Sequence, residues 1–383
     1  MHIAFLTPEY PHAKTKHAGG LGTSIKNLVA ALVKENVTVS IFIYGQNCSQ
    51  QFSENGVHFH LIEDKKYPFL KWFWYRMYLQ NYINKACKEN KINVIEAPDW
   101  TGITAFMSFV VPLIIRFHGS DTYFCQLEKR KQKWKNRLFE TLAARKAKIC
   151  IAPTHFAGKE SARLLGVPMH KVHTIHYGLD LEQFKNETPA VYENGLILYI
   201  GTIIRKKGVF ELPAIFNSIR KNHPEAKLIL IGNDSGDIQT NSASTWELLQ
   251  KQFHIDDLIN VSYLGKIPYL EVQTYIKKAN VCIFPTYAET LGMVTIESMA
   301  LQKPVVNSNI GWAKELMEDG KSGFLVYPSN HLEFADKISM LLRDNQKVMT
   351  MGAFARSYVE ANFDIQNIAK KNITLYKNVI SKR

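Results

Sequence analysis

Short apolar runs rich in β-branched residues alternate along the chain with stretches whose apolar residues recur at helical spacing. In the first half the runs are HIAFLT (2–7), VTVSIFIY (37–44), INVIEAP (92–98), VPLIIRFHG (111–119) and KICIAPT (148–154). In the second they are GLILYIGT (195–202), AKLILIGN (226–233), NVSYLG (260–265), VCIFPT (281–286) and PVVNS (304–308). Bounded by turn residues, they read as strands. TSIKNLVAALVKE (23–35), KGVFELPAIFNSIRKN (207–222) and YLEVQTYIKKA (269–279) read as helices. Strands alternating with helices predict parallel sheets. The alternation occurs twice, with a polar, proline-bearing break at HYGLDLEQFKNETPAVYENG (176–195). The pattern therefore predicts an α/β chain of two Rossmann-like, doubly wound domains, 1–185 and 186–362. The tail FDIQNIAKKNITLYKNVI has helical spacing, so a helix over about 363–383 is expected to pack back onto the first domain.

Length and composition agree with two globular domains: 383 residues, 46% hydrophobic and 21% charged. The best apolar run, AFMSFVVPLII, is about half the length needed to span a bilayer and contains a proline. The opening MHIAFLTPEYP lacks the basic-then-apolar order of a secretory signal. Cys48, Cys87, Cys125, Cys150 and Cys282 have no metal-ligand spacing, so free thiols in a reducing cytoplasm are expected, with no zinc site and no disulfides. Net charge changes the picture more. It is +13 overall, yet residues 1–180 hold 24 Lys and Arg against 13 Asp and Glu. One half is strongly basic, and a basic half implies an anionic partner.

In open α/β sheets ligands bind beyond the carboxyl ends of the strands. After the first strand comes Gly19-Gly20-Leu21-Gly22 and then a helix, a loop that lets backbone approach a phosphate, or a turn capped by Thr23 or Ser24. His118 ends VPLIIRFH and can hydrogen-bond a substrate hydroxyl or be satisfied by local backbone. Arg205, Lys206 and Lys207 sit at a strand-to-helix turn, where cations suit a diphosphate or form a solvated basic turn. After VCIFPT, Glu289 lies in a loop and Glu297 inside a helix beginning near Gly292. The first N–H groups of that helix, at Gly292, Met293 and Val294, have no intrahelical partner and would hold a phosphate. The competing assignment makes Glu289 a helix-end charge and Glu297 a surface acid, but Glu297 sits between MVTI and SMA, a poor setting for one.

These motifs together resemble the retaining glycosyltransferases of the GT-B fold, family 4 (glycosyl transferases group 1). The resemblance rests on E-x7-E, Glu289 to Glu297, within FPTYAETLGMVTIESMALQKPVV. GGLGTS, HYGLDLEQF and the GT-x-x-x-x-KG run from Gly201 to Gly208 match in the same order. It implies two Rossmann-like domains facing a central cleft, with a nucleotide-sugar as substrate and no cofactor or metal. It further implies Glu297 on the ribose, and Glu289 with the N–H groups of Gly292, Met293 and Val294 on donor sugar and phosphate. Lys207 would sit on the diphosphate, Gly19 and Gly20 would close over it, and the base would meet the backbone near Lys266 and Ile267. His118 would contact the transferred sugar. Many members carry arginine where this chain has Thr202, and Arg205 or Lys206 is expected to supply that charge. Lys16 is a further cation that could reach the phosphates. Configuration would be retained by same-face attack, the leaving phosphate accepting the acceptor's proton. This contrasts with the two flanking carboxylates of glycosidases.

A UDP-sugar is the expected donor, with GDP-mannose behind it. A glycan or lipid-linked acceptor in cell-envelope polysaccharide synthesis, capsule or lipopolysaccharide, is the expected destination. A 2-epimerase of the same fold and a non-catalytic nucleotide-sugar-binding protein are the alternatives. Two stretches, DKKYPFLKWFWYRMYLQNYINK (64–85) and EKRKQKWKNRLFETLAARKAK (128–148), concentrate lysines and aromatics. They suit an anionic membrane surface at the inner leaflet, or else aromatics in the core beneath solvated lysines. No nucleic-acid recognition motif is present.

Overall fold

The computed structural model describes residues 1–16 and 18–381. The chain forms two compact units, Met1–Asp180 with the segment from Ile365 onward, and Leu181–Asp364. The first unit holds β1 (His2–Thr7), β2 (Thr38–Gln46), β3 (Gln50–Glu54), β4 (Val57–Glu63), β5 (Val94–Pro98), β6 (Leu113–Arg116), β7 (Ile149–Ala152) and β8 (Val172–Thr174). Their order is β3-β4-β2-β1-β5-β6-β7-β8. Every pairing is parallel except β3 with β4. That hairpin turns at Asn55 and Gly56, φ 49° and 77°, an Asn-Gly pair that favours a tight two-residue hairpin. β1 is buried at all six positions, as expected of a central parallel strand covered by helices on both faces. Those helices include α1 (Gly20–Lys34), α2 (Lys71–Glu89), α3 (Asp121–Leu127), α4 (Trp134–Lys146) and α5 (His155–Leu165).

The last helix, Ile365–Ser381, also lies on this unit. It covers a buried ion pair: Arg116 donates to both oxygens of Glu96 at 2.6 and 3.0 Å and to Asn372 at 2.6 Å. Tyr376 donates to the same Glu96 at 2.6 Å. Burial works against the guanidinium, but Glu96 beside it keeps it charged. The units divide after Asp180 and Asp364, a few residues from the expected 185 and 362. Ile175 and Leu179 are buried in the first unit, and Ile365 N–H donates to the Leu179 carbonyl at 3.1 Å.

The second unit is a six-stranded, wholly parallel sheet of β9 (Leu196–Ile200), β10 (Lys227–Ile231), β11 (Val261–Tyr263), β12 (Val281–Phe284), β13 (Val305–Ser308) and β14 (Gly323–Val326). Their order is β11-β10-β9-β12-β13-β14. The helices are α6 (Leu212–Arg220), α7 (Thr245–Gln250), α8 (Ile255–Leu258), α9 (Tyr269–Lys278), α10 (Met293–Ala300), α11 (His331–Arg343) and α12 (Asn345–Phe363). Strand order reverses between β9 and β12. The loops after these two strands, carrying Arg205–Lys207 and Glu289–Gly292, therefore lie side by side. No described helix is long and apolar enough to cross a membrane.

Candidate active site

In the second unit the two loops are fixed to each other through backbone. Tyr287 and Ala288 N–H groups donate to the Lys206 carbonyl at 2.9 and 3.2 Å. Gly208 has φ 69°, and a Cβ there would overlap the Pro285 carbonyl oxygen, so only glycine permits this approach. Lys207 and Glu289 meet as an ion pair, both partly buried. The other Glu289 oxygen accepts from Thr290 N–H at 2.9 Å. Burial alone would raise this carboxyl, but Lys207 outweighs it and holds it below the usual glutamate range. Gly292, φ 100°, then opens α10, whose N-terminus receives no side-chain cap. Its leading N–H groups, at Met293 and Val294, follow directly on the Lys207–Glu289 pair.

Glu297 is buried on α10 and takes the Tyr269 hydroxyl at 2.6 Å. Burial pushes its carboxyl up. Tyr269 begins α9, directly after the Lys266–Ile267 segment that follows β11. Tyr269, three residues beyond Lys266, is the residue that reaches Glu297. Lys266 itself is exposed. Sequence reasoning missed Tyr269, although its place beyond the end of a parallel strand marked it.

Arg205 departs from expectation. Its Nε and Nη2 donate to the two oxygens of Asp237 at 2.9 and 2.8 Å, and the guanidinium lies 4.4 Å from the Phe210 ring centre. Arg205 brings Asp237 down to about 2. Its charge is paired with a buried carboxylate 32 residues along the chain, which ties the basic turn to the loop after β10. Lys206 contributes its carbonyl to the Glu289 loop and its charge to Glu289.

In the first unit His118 follows β6. Its N–H donates to Asp99 at 2.9 Å, and Gly119 and Ser120 N–H groups reach the same carboxylate. Its Nδ1 lies 2.7 Å from the Tyr177 hydroxyl, with the two rings stacked at 5.5 Å. Burial and the Arg116 charge lower the imidazole to about 3. His118 is therefore neutral, and its Nδ1 shares one hydrogen bond with the Tyr177 hydroxyl. Asp99 is raised to about 7 by burial, and its Oδ2 is buried without a hydrogen-bond partner among the described residues. Neither Asp99 nor Tyr177 was assigned from the sequence, yet Asp99 directly follows β5, next to β6.

The glycine loop is held by an acid of its own unit. Gly19 precedes α1 and Gly20 opens it, but the Glu9 carboxylate accepts from Gly22 N–H at 2.8 Å. A Cβ on Gly19 would lie 3.0 Å from both Glu9 oxygens. Glu9 thus holds the start of α1 through the Gly22 N–H group. Lys16 donates to the Gly45 carbonyl at 2.7 Å.

Solved structures place this fold. A sucrose-phosphate synthase from Thermosynechococcus elongatus superposes over all of both chains with a TM-score of 0.81 at 22% identity. Anabaena HepE in complex with UDP covers 99% of this chain and 100% of its own with a TM-score of 0.75 at 19% identity. Two Rossmann-like parallel-sheet domains with these neighbours define a GT-B protein. Residues 18–183 match Glycosyltransferase Family 4 and residues 180–358 match Glycosyl transferases group 1. The chain belongs to the family 4, group 1 glycosyltransferases. It is similar along its length to an uncharacterized glycosyltransferase of Methanocaldococcus jannaschii, 24% identical over 98% of each chain. It also resembles the alpha-D-kanosaminyltransferase of Streptomyces kanamyceticus, 23% identical over 73% of this chain and 76% of that one.

Proposed function

We propose that the protein moves a hexose from a UDP-sugar to a glycan or lipid-linked acceptor of the cell envelope, with retention of anomeric configuration. The observation that carries this is the Lys207–Glu289 pair set against the uncapped start of α10. The leaving group is a nucleoside diphosphate, and its developing charge needs fixed positive groups more than a strong base. The Lys207 ammonium and the N–H groups of Met293 and Val294 supply them, so the reaction needs no resident metal or cofactor. Glu289 accepts from donor-sugar hydroxyls. Glu297, steadied by Tyr269, accepts from the ribose, with the base beside Lys266 and Ile267. His118, a neutral imidazole, is the first unit's candidate for hydrogen-bonding a sugar hydroxyl. The bond from the anomeric carbon to the diphosphate breaks, the acceptor oxygen bonds that carbon on the same face, and its proton passes to the leaving phosphate.

HepE was solved with UDP and with UDP-glucose, which makes uridine the first base to test. A thermal-shift panel of UDP-, GDP- and ADP-sugars tests the donor site. A ligand at a hundred times its dissociation constant adds about 2.7 kcal/mol of apparent stability. A shift with UDP-sugars that Glu297→Ala abolishes is the expected result, and no shift with any of the three would overturn the donor assignment. Transfer in the presence of EDTA, with the product anomer read by NMR, tests the remainder.

A further inference from the structure

We infer that the first unit carries a docking face for an anionic lipid bilayer, formed by the start of α2, the turn at Trp100–Phe106 and α4. Three segments far apart in sequence converge there. The Trp72 ring lies 5.1 Å from Phe139 of α4 and 5.6 Å from Phe106, and Phe106 lies 5.8 Å from Phe139. Arg76 ties them from beneath. It donates to the Trp72 carbonyl at 2.8 Å and the Gly102 carbonyl at 3.3 Å, with its guanidinium 4.6 Å from the Phe139 ring centre. Gly102, φ 55°, presses so closely on Phe139 that a Cβ there would overlap the Phe139 backbone. The face is therefore set by packing and is not a loose loop.

What the segments present outward is apolar. α2 divides along its length: Tyr75, Leu79 and Ile83 enter the core, whereas Trp72 and Trp74 stay outside. Phe69 is 81% exposed and Leu70 is 59% exposed, just ahead of α2. On α4, Trp134 (69% exposed) and Leu138 occupy successive turns of one helix face. Exposed aromatics and leucines on the segments that meet at the Trp72–Phe106–Phe139 cluster mark an interaction surface.

The charge around them selects the partner. Between residues 129 and 148 the chain has nine Lys and Arg. Glu140, the one acid in that span, is buried and spent on the N–H groups of Asp121 and Thr122. Arg130 is paired with Asp121 and Glu128, but Lys131, Lys133, Lys135 and Arg137 take no ion pair among the described residues. Tryptophan at headgroup depth with lysines reaching to phosphates is the arrangement an anionic bilayer binds. Aliphatic Leu70 and Leu138 suit acyl chains and have no use on a nucleic acid. The inference deepens the transferase reading only in purpose, since it would hold the enzyme beside a lipid-linked acceptor.

Cosedimentation of the full chain with phosphatidylcholine vesicles, with and without phosphatidylglycerol, tests it. Binding to the phosphatidylglycerol vesicles alone, released by high salt, is expected. Replacing Lys131, Lys133 and Lys135 with Gln should weaken partitioning on the order of a hundredfold. Phe69→Ser with Trp134→Ser should weaken it about tenfold. Both sites are exposed, so the variants should melt as the parent does and keep its thermal shift with nucleotide-sugar. No sedimentation at low salt, or binding undiminished in either variant, would overturn the docking face. A protein that shifts with nucleotide-sugar yet ignores vesicles refutes this inference and leaves the transferase reading standing. One that binds vesicles without any shift does the reverse.

Discussion

Glu289 and Glu297 lie eight residues apart, and their surroundings drive them in opposite directions. Lys207 holds Glu289 ionised, whereas Glu297 has only a tyrosine hydroxyl against its burial. Lys207→Ala should lower the rate of nucleoside-diphosphate release by about a hundredfold to a thousandfold, the usual cost of removing a charge-stabilising donor. The raised Glu297 gives donor binding a pH dependence. In the proposed role ribose hydroxyls would donate to its ionised form, so affinity should fall as pH drops through its elevated pKa. Glu297→Gln should bind weakly at every pH, and calorimetric titrations across pH would distinguish the two. Asp99 offers a second pH handle. Its carboxyl is raised to about 7 when folded, so between the unfolded value and 7 the folded chain holds a proton the unfolded chain has lost. Stability from this group is therefore present at acid pH and declines by roughly 2–4 kcal/mol toward neutrality. Denaturant unfolding should show that decline in the parent and its loss in Asp99→Asn. The two glutamates were legible because their spacing and apolar setting are local. The Asp237 that claims Arg205 was not, because only the fold brings those residues together.

At the scale of elements, the active loops depend on turns that only glycine can make. Gly208→Ala should cost at least about 2 kcal/mol, since its methyl would force the basic turn off Pro285. A lower melting temperature together with loss of the nucleotide-sugar shift is the expected measurement. Most strands could be read because a strand buried on both faces is a plain apolar run. The β3–β4 hairpin was passed over although Asn55-Gly56 stands in the sequence. β3 has no buried residue, so it shows no apolar run, and β4 is mostly buried without a clean alternation. α2 was read as a basic aromatic stretch without assignment as a helix. Its first turn is aromatic on the outside as well as the inside, which erases the helical period.

At the scale of the molecule, the family and the two-sheet architecture were legible because alternation and motif order are properties of the whole chain. The exact division was not, because the stretch 175–179 looks like linker yet Ile175 and Leu179 are buried. The final helix completes the first unit's core. Tyr376→Phe removes one of the hydrogen bonds on the buried Glu96 and should cost about 1–3 kcal/mol in denaturant unfolding.

The second unit is one unbroken stretch of chain, whereas the first opens the sequence and is finished only by its last helix. During synthesis from the N-terminus, the unit that begins first must therefore be completed last. Until residues beyond Ile365 emerge, the Glu96–Arg116 pair lacks its Asn372 and Tyr376 partners and part of the apolar core has no cover. A chain ending at Asp364 should resist protease across Leu181–Asp364 and be cut within the first 180 residues. The order of manufacture, start to finish, is thus the reverse of the order in which the two halves can become whole.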